Sequence, residues 1–269
     1  MKIKHLLCFI ALCLFFTPGK AQQLSVMTLR NGATVYIWED KSKPDVFGMI
    51  AFKVGSVDDP EQYTGLAHYL EHVMFKGTQT IDALDWEKEK PIYEKIIAKY
   101  DERAALSDPA AREAIDKEIN DLTREAAQYA AGNEFSLLVD HMGGQGLNAS
   151  TGYDQTEYHN SFPPSQLEKW LEIYSERLID PVFRGFQTEL EAVYEEYNMY
   201  NDDRGSRMRE FIYEQAFGDH PYARPIIGLP EHLKNPQLSK LIDFYNTWYG
   251  PQNMSIILVG NIDAKEAIP

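Results

Sequence analysis

Gly65-Leu66-Ala67-His68-Tyr69-Leu70-Glu71-His72-Val73-Met74-Phe75-Lys76-Gly77-Thr78 is the stretch from which the rest of the chain is read. Leu66, Leu70 and Val73 recur at spacings of 4 and 3, so the run from about Gln62 to Met74 reads as an amphipathic helix. His68 and His72 stand four apart, which puts both imidazoles on one face of that helix. Two neutral imidazoles at this spacing can bind one Zn²⁺. Glu71 flanks the same face and can act as base toward a metal-bound water, whose pKa falls to about 7 at such a site. The competing reading is a surface helix with two unrelated histidines. The H-x-x-E-H order inverts H-E-x-x-H, the helical order in which two histidines bind zinc and the glutamate serves as base.

A third ligand is then required. Gln187 to Tyr200 reads as a helix with Glu189, Val193, Glu196 and Tyr200 on one face, at spacings of 4, 3 and 4. Glu196 could complete a site of two His and one Glu with a position left open for water. Glu189 would sit behind it and orient a ligand or the base. Glu191 and Glu195 lie in the same run, so composition alone singles out Glu196 only weakly.

Upstream, Leu24 to Leu29 and Thr34 to Glu39 read as strands joined at Asn31-Gly32, a strong hairpin signal. Val46 to Val54 reads as a third strand. Residues 85–131 are dense in Glu, Lys and Ala and contain no Gly. Two apolar stripes run through them, Ile92-Ile96-Tyr100 and Ile115-Ile119-Leu122-Ala126-Tyr129, separated by the helix-start signal Ser107-Asp108-Pro109. The segment predicts an inserted antiparallel helical hairpin. A coiled-coil dimerisation arm is the alternative, but each stripe is short for one. Phe135 to Val139 reads as a strand, and Leu147 to His159 as one polar, alternating strand. Helices follow from a cap at Ser165, at Gln187 to Tyr200, Ser206 to Phe217 and Pro236 to Trp248, then a strand at Asn253 to Val259. Hairpin strands with grouped helices predict an α+β fold.

The chain has 269 residues, 44% apolar and 25% charged, which is ordinary globular composition. Its 26 basic and 41 acidic residues give a formal charge of −15, which argues against nucleic acid and against anchoring on anionic lipid. Lys2 and Lys4, the apolar run Leu6 to Phe16, the break at Thr17-Pro18-Gly19 and the small residues Gly19 and Ala21 predict a signal peptide over residues 1–21. The apolar run is too short for a membrane span. A lipoprotein reading would use Cys13, but Leu12 precedes it where a small residue is expected. Removal leaves 23 basic against 41 acidic residues, a charge of −18, and no cysteine, since Cys8 and Cys13 both lie in the leader. A mature domain over 22–269 is therefore expected to be exported, periplasmic or secreted, without disulfides, thiolate ligands or a further membrane span.

Val54-Gly55-Ser56 and the Gly65 to Thr78 stretch together resemble the signature of the pitrilysin-type zinc peptidases. Asn148-Ala149-Ser150-Thr151 with Asp154, Thr156 and Tyr158 resembles that family's substrate-side strand. Glu189 through Glu196, followed by Asn198-Met199-Tyr200-Asn201-Asp202-Asp203, resembles its E-x6-E element, and Asn253 to Asp263 its closing strand. The match spans about residues 24–265 apart from the insert. It implies a mainly antiparallel sheet covered by helices, with one Zn²⁺ per domain held by His68, His72 and Glu196. It also implies Glu71 as general base, Glu189 as second acidic residue, and Asn148 and Ala149 on an edge strand that pairs with an extended peptide substrate. Phe75 either meets substrate or packs beneath the site.

Two features depart from the pattern. The gap from His72 to Glu196 is 123 residues, longer than usual, and the insert that lengthens it is expected on the rim, where it could line or gate the substrate chamber. Family members also bury substrate between two halves, the second of which supplies an Arg and a Tyr. That implies a C-terminal half or a partner subunit. Two rival functions are an S-ribosylhomocysteine lyase, which needs a cysteine ligand and works in the cytosol, and a non-catalytic scaffold of the same fold. The scaffold typically loses a ligand or the base, whereas His68, Glu71, His72 and Glu196 are all present here.

Overall fold

Six strands form one sheet in the computed structural model, which describes residues 24–267; the expected leader with Cys8 and Cys13 lies outside the described residues. The strands are β1 (Leu24–Thr28), β2 (Thr34–Glu39), β3 (Val46–Phe52), β4 (Gln145–Thr151), β5 (Thr156–Phe162) and β6 (Met254–Gly260). Their spatial order is β1-β2-β6-β3-β5-β4. Only the β2–β6 pair is parallel, so the sheet is mainly antiparallel, and the fold is α+β.

The helices are α1 (Leu66–Val73), α2 (Trp86–Ala105), α3 (Pro109–Ala126), α4 (Glu134–His141), α5 (Leu167–Ile179), α6 (Phe186–Asp202), α7 (Arg204–Phe217), α8 (Pro230–Leu233), α9 (Leu238–Trp248) and α10 (Ala264–Ala267). None is long and apolar enough to cross a membrane. One face of the sheet offers Val35, Ile37, Val46, Ile50, Phe52, Tyr158, Phe162 and Leu258 to the core beneath these helices. Trp170 of α5 comes so close to β3 that a Cβ at Gly48 would stand 2.6 Å from its ring, so only glycine fits there.

The other face is also apolar. Register places Val26, Tyr36, Ile257 and Met49 in one row across four strands, and Leu24, Trp38, Val259 and Phe47 in the next. None of these eight belongs to the core, and Leu24, Val26 and Trp38 are exposed. An antiparallel sheet with a solvated face usually alternates apolar-in with polar-out, and this one does not.

Two local expectations are corrected. Phe135 to Val139 is helical, as α4, because Phe135 and Val139 are fully buried at the i, i+4 spacing of a helix; a short apolar run does not distinguish helix from strand. Leu147 to His159 is two strands, not one. Gly152 donates to the Gln155 carbonyl at 2.7 Å, and the turn returns the chain as β5.

Helices α2 and α3 pack against each other. Asp85 and Asp108 cap their N-termini, Asp108 accepting from the Ala111 N–H at 3.0 Å. Ile92, Ile96, Tyr100, Ile115 and Ile119 join the main core, and the Tyr100 ring lies 4.8 Å from that of Phe186 at the start of α6. The pair therefore buttresses the back of α6, and none of its residues lines the cleft described below. A forked ion pair locks the two parts together. Arg184 Nε and Nη2 donate to Glu89 at 2.6 and 2.8 Å, with side-chain exposures of 10% and 2%. Replacing Arg184 with Met should strand a buried carboxylate and cost about 3–5 kcal/mol, read as a lower urea midpoint at unchanged m-value.

Candidate metal centre

The site begins with how α1 is held. Gly65, at φ 89°, opens the helix in a left-handed conformation, and a Cβ there would meet the Ile227 carbonyl at 2.6 Å. The buried Asp59 carboxylate accepts from the Gly65 and Ala67 N–H groups at 2.7 and 2.9 Å, which satisfies the first turn. Burial pushes the Asp59 pKa up to about 7 against the pull of those two bonds and of Arg224. At the other end, Arg177 Nε donates to the Met74 carbonyl at 2.9 Å. The Arg177 guanidinium is caged by Phe75, Tyr158 and Phe135, with ring centroids at 4.2, 4.3 and 4.6 Å.

Helix α6 crosses α1. Phe186, Leu190 and Val193 bury its apolar face, and the Tyr69 hydroxyl donates to the Phe186 carbonyl. This brings Glu196 Oε2 to 3.6 Å from His68 Nε2 and 3.4 Å from His72 Nε2. One donor atom from each of these three residues falls within 4.8 Å of the others. Tetrahedral zinc with bonds of ~2.0–2.1 Å sets its donors roughly 3.3–3.4 Å apart, so the donor set and its spacing fit zinc. Glu189 Oε2 lies 3.6 Å from His72 Nδ1, and Lys76 pairs with the other Glu189 oxygen. Each ring nitrogen of His72 thus faces a carboxylate.

Glu71 stands beside the cluster, 9% exposed, and accepts a hydrogen bond from the Thr151 hydroxyl of β4 at 2.6 Å. Burial raises the Glu71 pKa, with Thr151 and His72 pulling it back. Burial, then the neighbouring His72 charge, lowers His68 to about 4. Burial opposes charge on His72 too, but Glu189 and Glu196 raise it to about 9. Hydrogen bonding from His72 holds Glu196 below the ordinary carboxylate range, and His72 and Lys76 do the same for Glu189 against its burial.

A cleft of about 610 Å³ opens over this cluster. Asn148, Ala149, Ser150 and Thr151 of β4 line it, and β4 is one of the two edge strands of the sheet. Tyr200, Arg209, Glu210, Tyr153 and Pro225 to Ile227 complete the lining. His68, Glu71, His72, Glu196, Asn148 and Ala149 therefore line one space, with Glu189 directly behind. Phe75 is not among the lining residues; its ring packs on Arg177 and Phe135 beneath the helix. Sequence reasoning missed Arg177 and Lys76, because neither stands in a periodic pattern with the ligands. Thr151 was legible only as part of the strand.

Helix-borne histidines facing a glutamate, beside an edge strand of a mainly antiparallel sheet, are the arrangement expected of a pitrilysin-type zinc peptidase domain. The profile described as insulinase, peptidase family M16, matches residues 34–90 and 122–229, more than half the chain, and the chain belongs to that family. A profile described as the peptidase M16 inactive domain matches residues 237–269. The probable zinc protease PqqL of Escherichia coli K12 is 25% identical over 259 residues, covering 92% of this chain and 22% of that protein. The crystal structure of this periplasmic protease superposes with a TM-score of 0.67. The structure of a Helicobacter pylori protease gives 0.69 at 22% identity, covering 91% of this chain and 48% of that one. Pitrilysin gives 0.65 at 22% identity, covering 93% and 22%. The chain thus spans about a fifth to a half of the length of these relatives.

The two histidines should announce metal uptake differently. At pH 7 the metal-free His72, with a pKa near 9, carries a proton that zinc must displace, whereas His68, near 4, carries none. Zinc titrations in buffers of different ionisation enthalpy should report at least one proton released per ion.

Proposed function

We propose that this is an exported zinc-dependent endopeptidase domain that hydrolyses peptides or unfolded segments. The observation that carries the reading is the convergence of His68, His72 and Glu196 with Glu71 in one cleft beside a free sheet edge. A zinc ion held by these three residues supplies Lewis acidity to water and to a peptide carbonyl. Glu71 takes a proton from the attacking water and delivers it to the leaving amine. Thr151 engages one oxygen of Glu71 and leaves the other for that transfer. Glu189 stands 3.6 Å from Nδ1 of His72, where its charge favours the tautomer that leaves Nε2 for the metal. Asn148 and Ala149 lie where an extended substrate would add to β4, through main-chain hydrogen bonds that do not read sequence. The leader-like N-terminus and the periplasmic PqqL relative support export.

A second reading, a half-enzyme or scaffold that needs another domain or subunit, is favoured by a separate observation. The apolar sheet face of Leu24, Val26, Tyr36, Trp38, Phe47, Met49, Ile257 and Val259 is the kind of surface that a further domain covers. The relatives' greater length agrees with it. The deciding experiment mixes chain 22–269 with a diverse peptide pool and maps cuts by mass spectrometry. Cleavage that falls by about 10²–10⁴ in Glu71→Gln and vanishes on chelation establishes a self-sufficient endopeptidase. Zinc-bearing protein that cuts nothing establishes the half-enzyme or scaffold instead.

A further inference from the structure

Besides its histidines, the cleft holds one cationic side chain. Arg209 is the only Lys or Arg among the lining residues. Arg204 and Arg207 lie on the same helix, and all three are exposed, but only Arg209 reaches the cleft. It sits in the second turn of α7, whose start is fixed by Asp203 accepting from the Ser206 N–H at 2.7 Å. Its Nη2 donates to Ser206 Oγ at 3.3 Å, and it makes no ion pair with a carboxylate among the described residues. Glu210, the next residue, is turned about 100° around the helix, and Asp203 feels the Arg209 charge only as the weakest of its stabilising influences, behind the backbone and side-chain bonds of the helix start. Arg209 shares the cleft with Tyr200, one turn beyond Glu196, and with Asn148 to Thr151 of β4.

We propose that Arg209 determines specificity by reading a carboxylate on the peptide held along β4, either an acidic side chain or the free C-terminus. The inference rests on the metallopeptidase reading of the cleft. In open water an unpaired guanidinium costs little. A peptide lying on β4 displaces that water, and the guanidinium must then meet an anion or lose hydration without return. A lysine placed opposite adds like-charge repulsion. Elsewhere the cleft carries Glu71, Glu196 and Glu210, which disfavour acids. The acidic preference should therefore be confined to one subsite rather than spread along the peptide.

The test uses zinc-loaded full-chain protein carrying Glu71→Gln, so that bound peptides stay intact. Fluorescent peptides of one sequence, amidated at the C-terminus, carry Glu, Gln or Lys stepped through each position, and a further peptide has a free carboxylate end. Binding is read by anisotropy and zinc content is measured on every sample. At one position Glu should bind at least ten-fold tighter than Lys. Arg209→Gln should abolish that ratio and Arg209→Glu should invert it, with zinc content unchanged. If only the free-carboxylate peptide gains, the group read is the terminus; if only the side-chain series responds, it is the acidic residue. Peptides that bind with the same ranking in all three proteins overturn the assignment of Arg209 and leave the metallopeptidase reading standing. Protein that retains no zinc, or zinc-loaded protein that binds no peptide, overturns both.

Discussion

The crossing of α1 and α6 is the constraint on which the rest of the structure depends. It places a carboxylate oxygen 3.4 and 3.6 Å from two imidazole nitrogens, with a second buried carboxylate alongside. Side chains that would otherwise keep water are crowded together, and each neighbouring element supplies a counterweight. Asp59 satisfies the first turn of α1, and Arg177 anchors its end. Lys76 steadies Glu189, and Thr151 steadies Glu71. Arg177 is the most demanding of these. It is 1% exposed and both Nη atoms lack hydrogen-bond partners, so the aromatic faces around it stand in for lost hydration.

The helical buttress serves the same crossing from behind. Glu89 and Arg184 bind α2 to the loop that leads into α6, and Tyr100 packs on the first residue of α6. The profile match breaks between residues 90 and 122, inside this buttress. A segment outside the family profile can thus be integral to the core, provided that it rests on the outer side of α6 and leaves alone the side that faces His68 and His72.

Much of this was legible in the sequence because it is periodic. The i, i+4 histidines, the Glu189–Val193–Glu196 face and the Asn31-Gly32 turn are local patterns, and local patterns survive without a structure. Phe135 to Val139 failed because four or five apolar residues fit either period, and the fully buried Phe135 and Val139 needed their tertiary surroundings to decide. The turn at Gly152 failed because polar alternation continues through it. Arg177 and Lys76 were out of reach for another reason. Their partners are a carbonyl about a hundred residues away and a carboxylate on another helix, contacts that no spacing rule encodes. Arg209 is itself exposed, and nothing in its spacing announces that it lines the same cleft as His68 and Glu196.

The irregularity in β4 has a consequence of its own. Pairing with β5 slips between Gln145 and Asn148, around Gly146 at φ 65°, and runs regularly only from Asn148 to Thr151. At ~3.4 Å per residue the straight part of the edge is only about 14 Å long. Whatever lies against it must be extended over that length and no more. A frayed chain end or a loose loop of an otherwise folded protein can meet that demand. A helix or an already paired strand cannot, because its main-chain donors and acceptors are spoken for. On the proposed reading, a peptide that adds to this edge is therefore selected first for local disorder, before any side chain is compared.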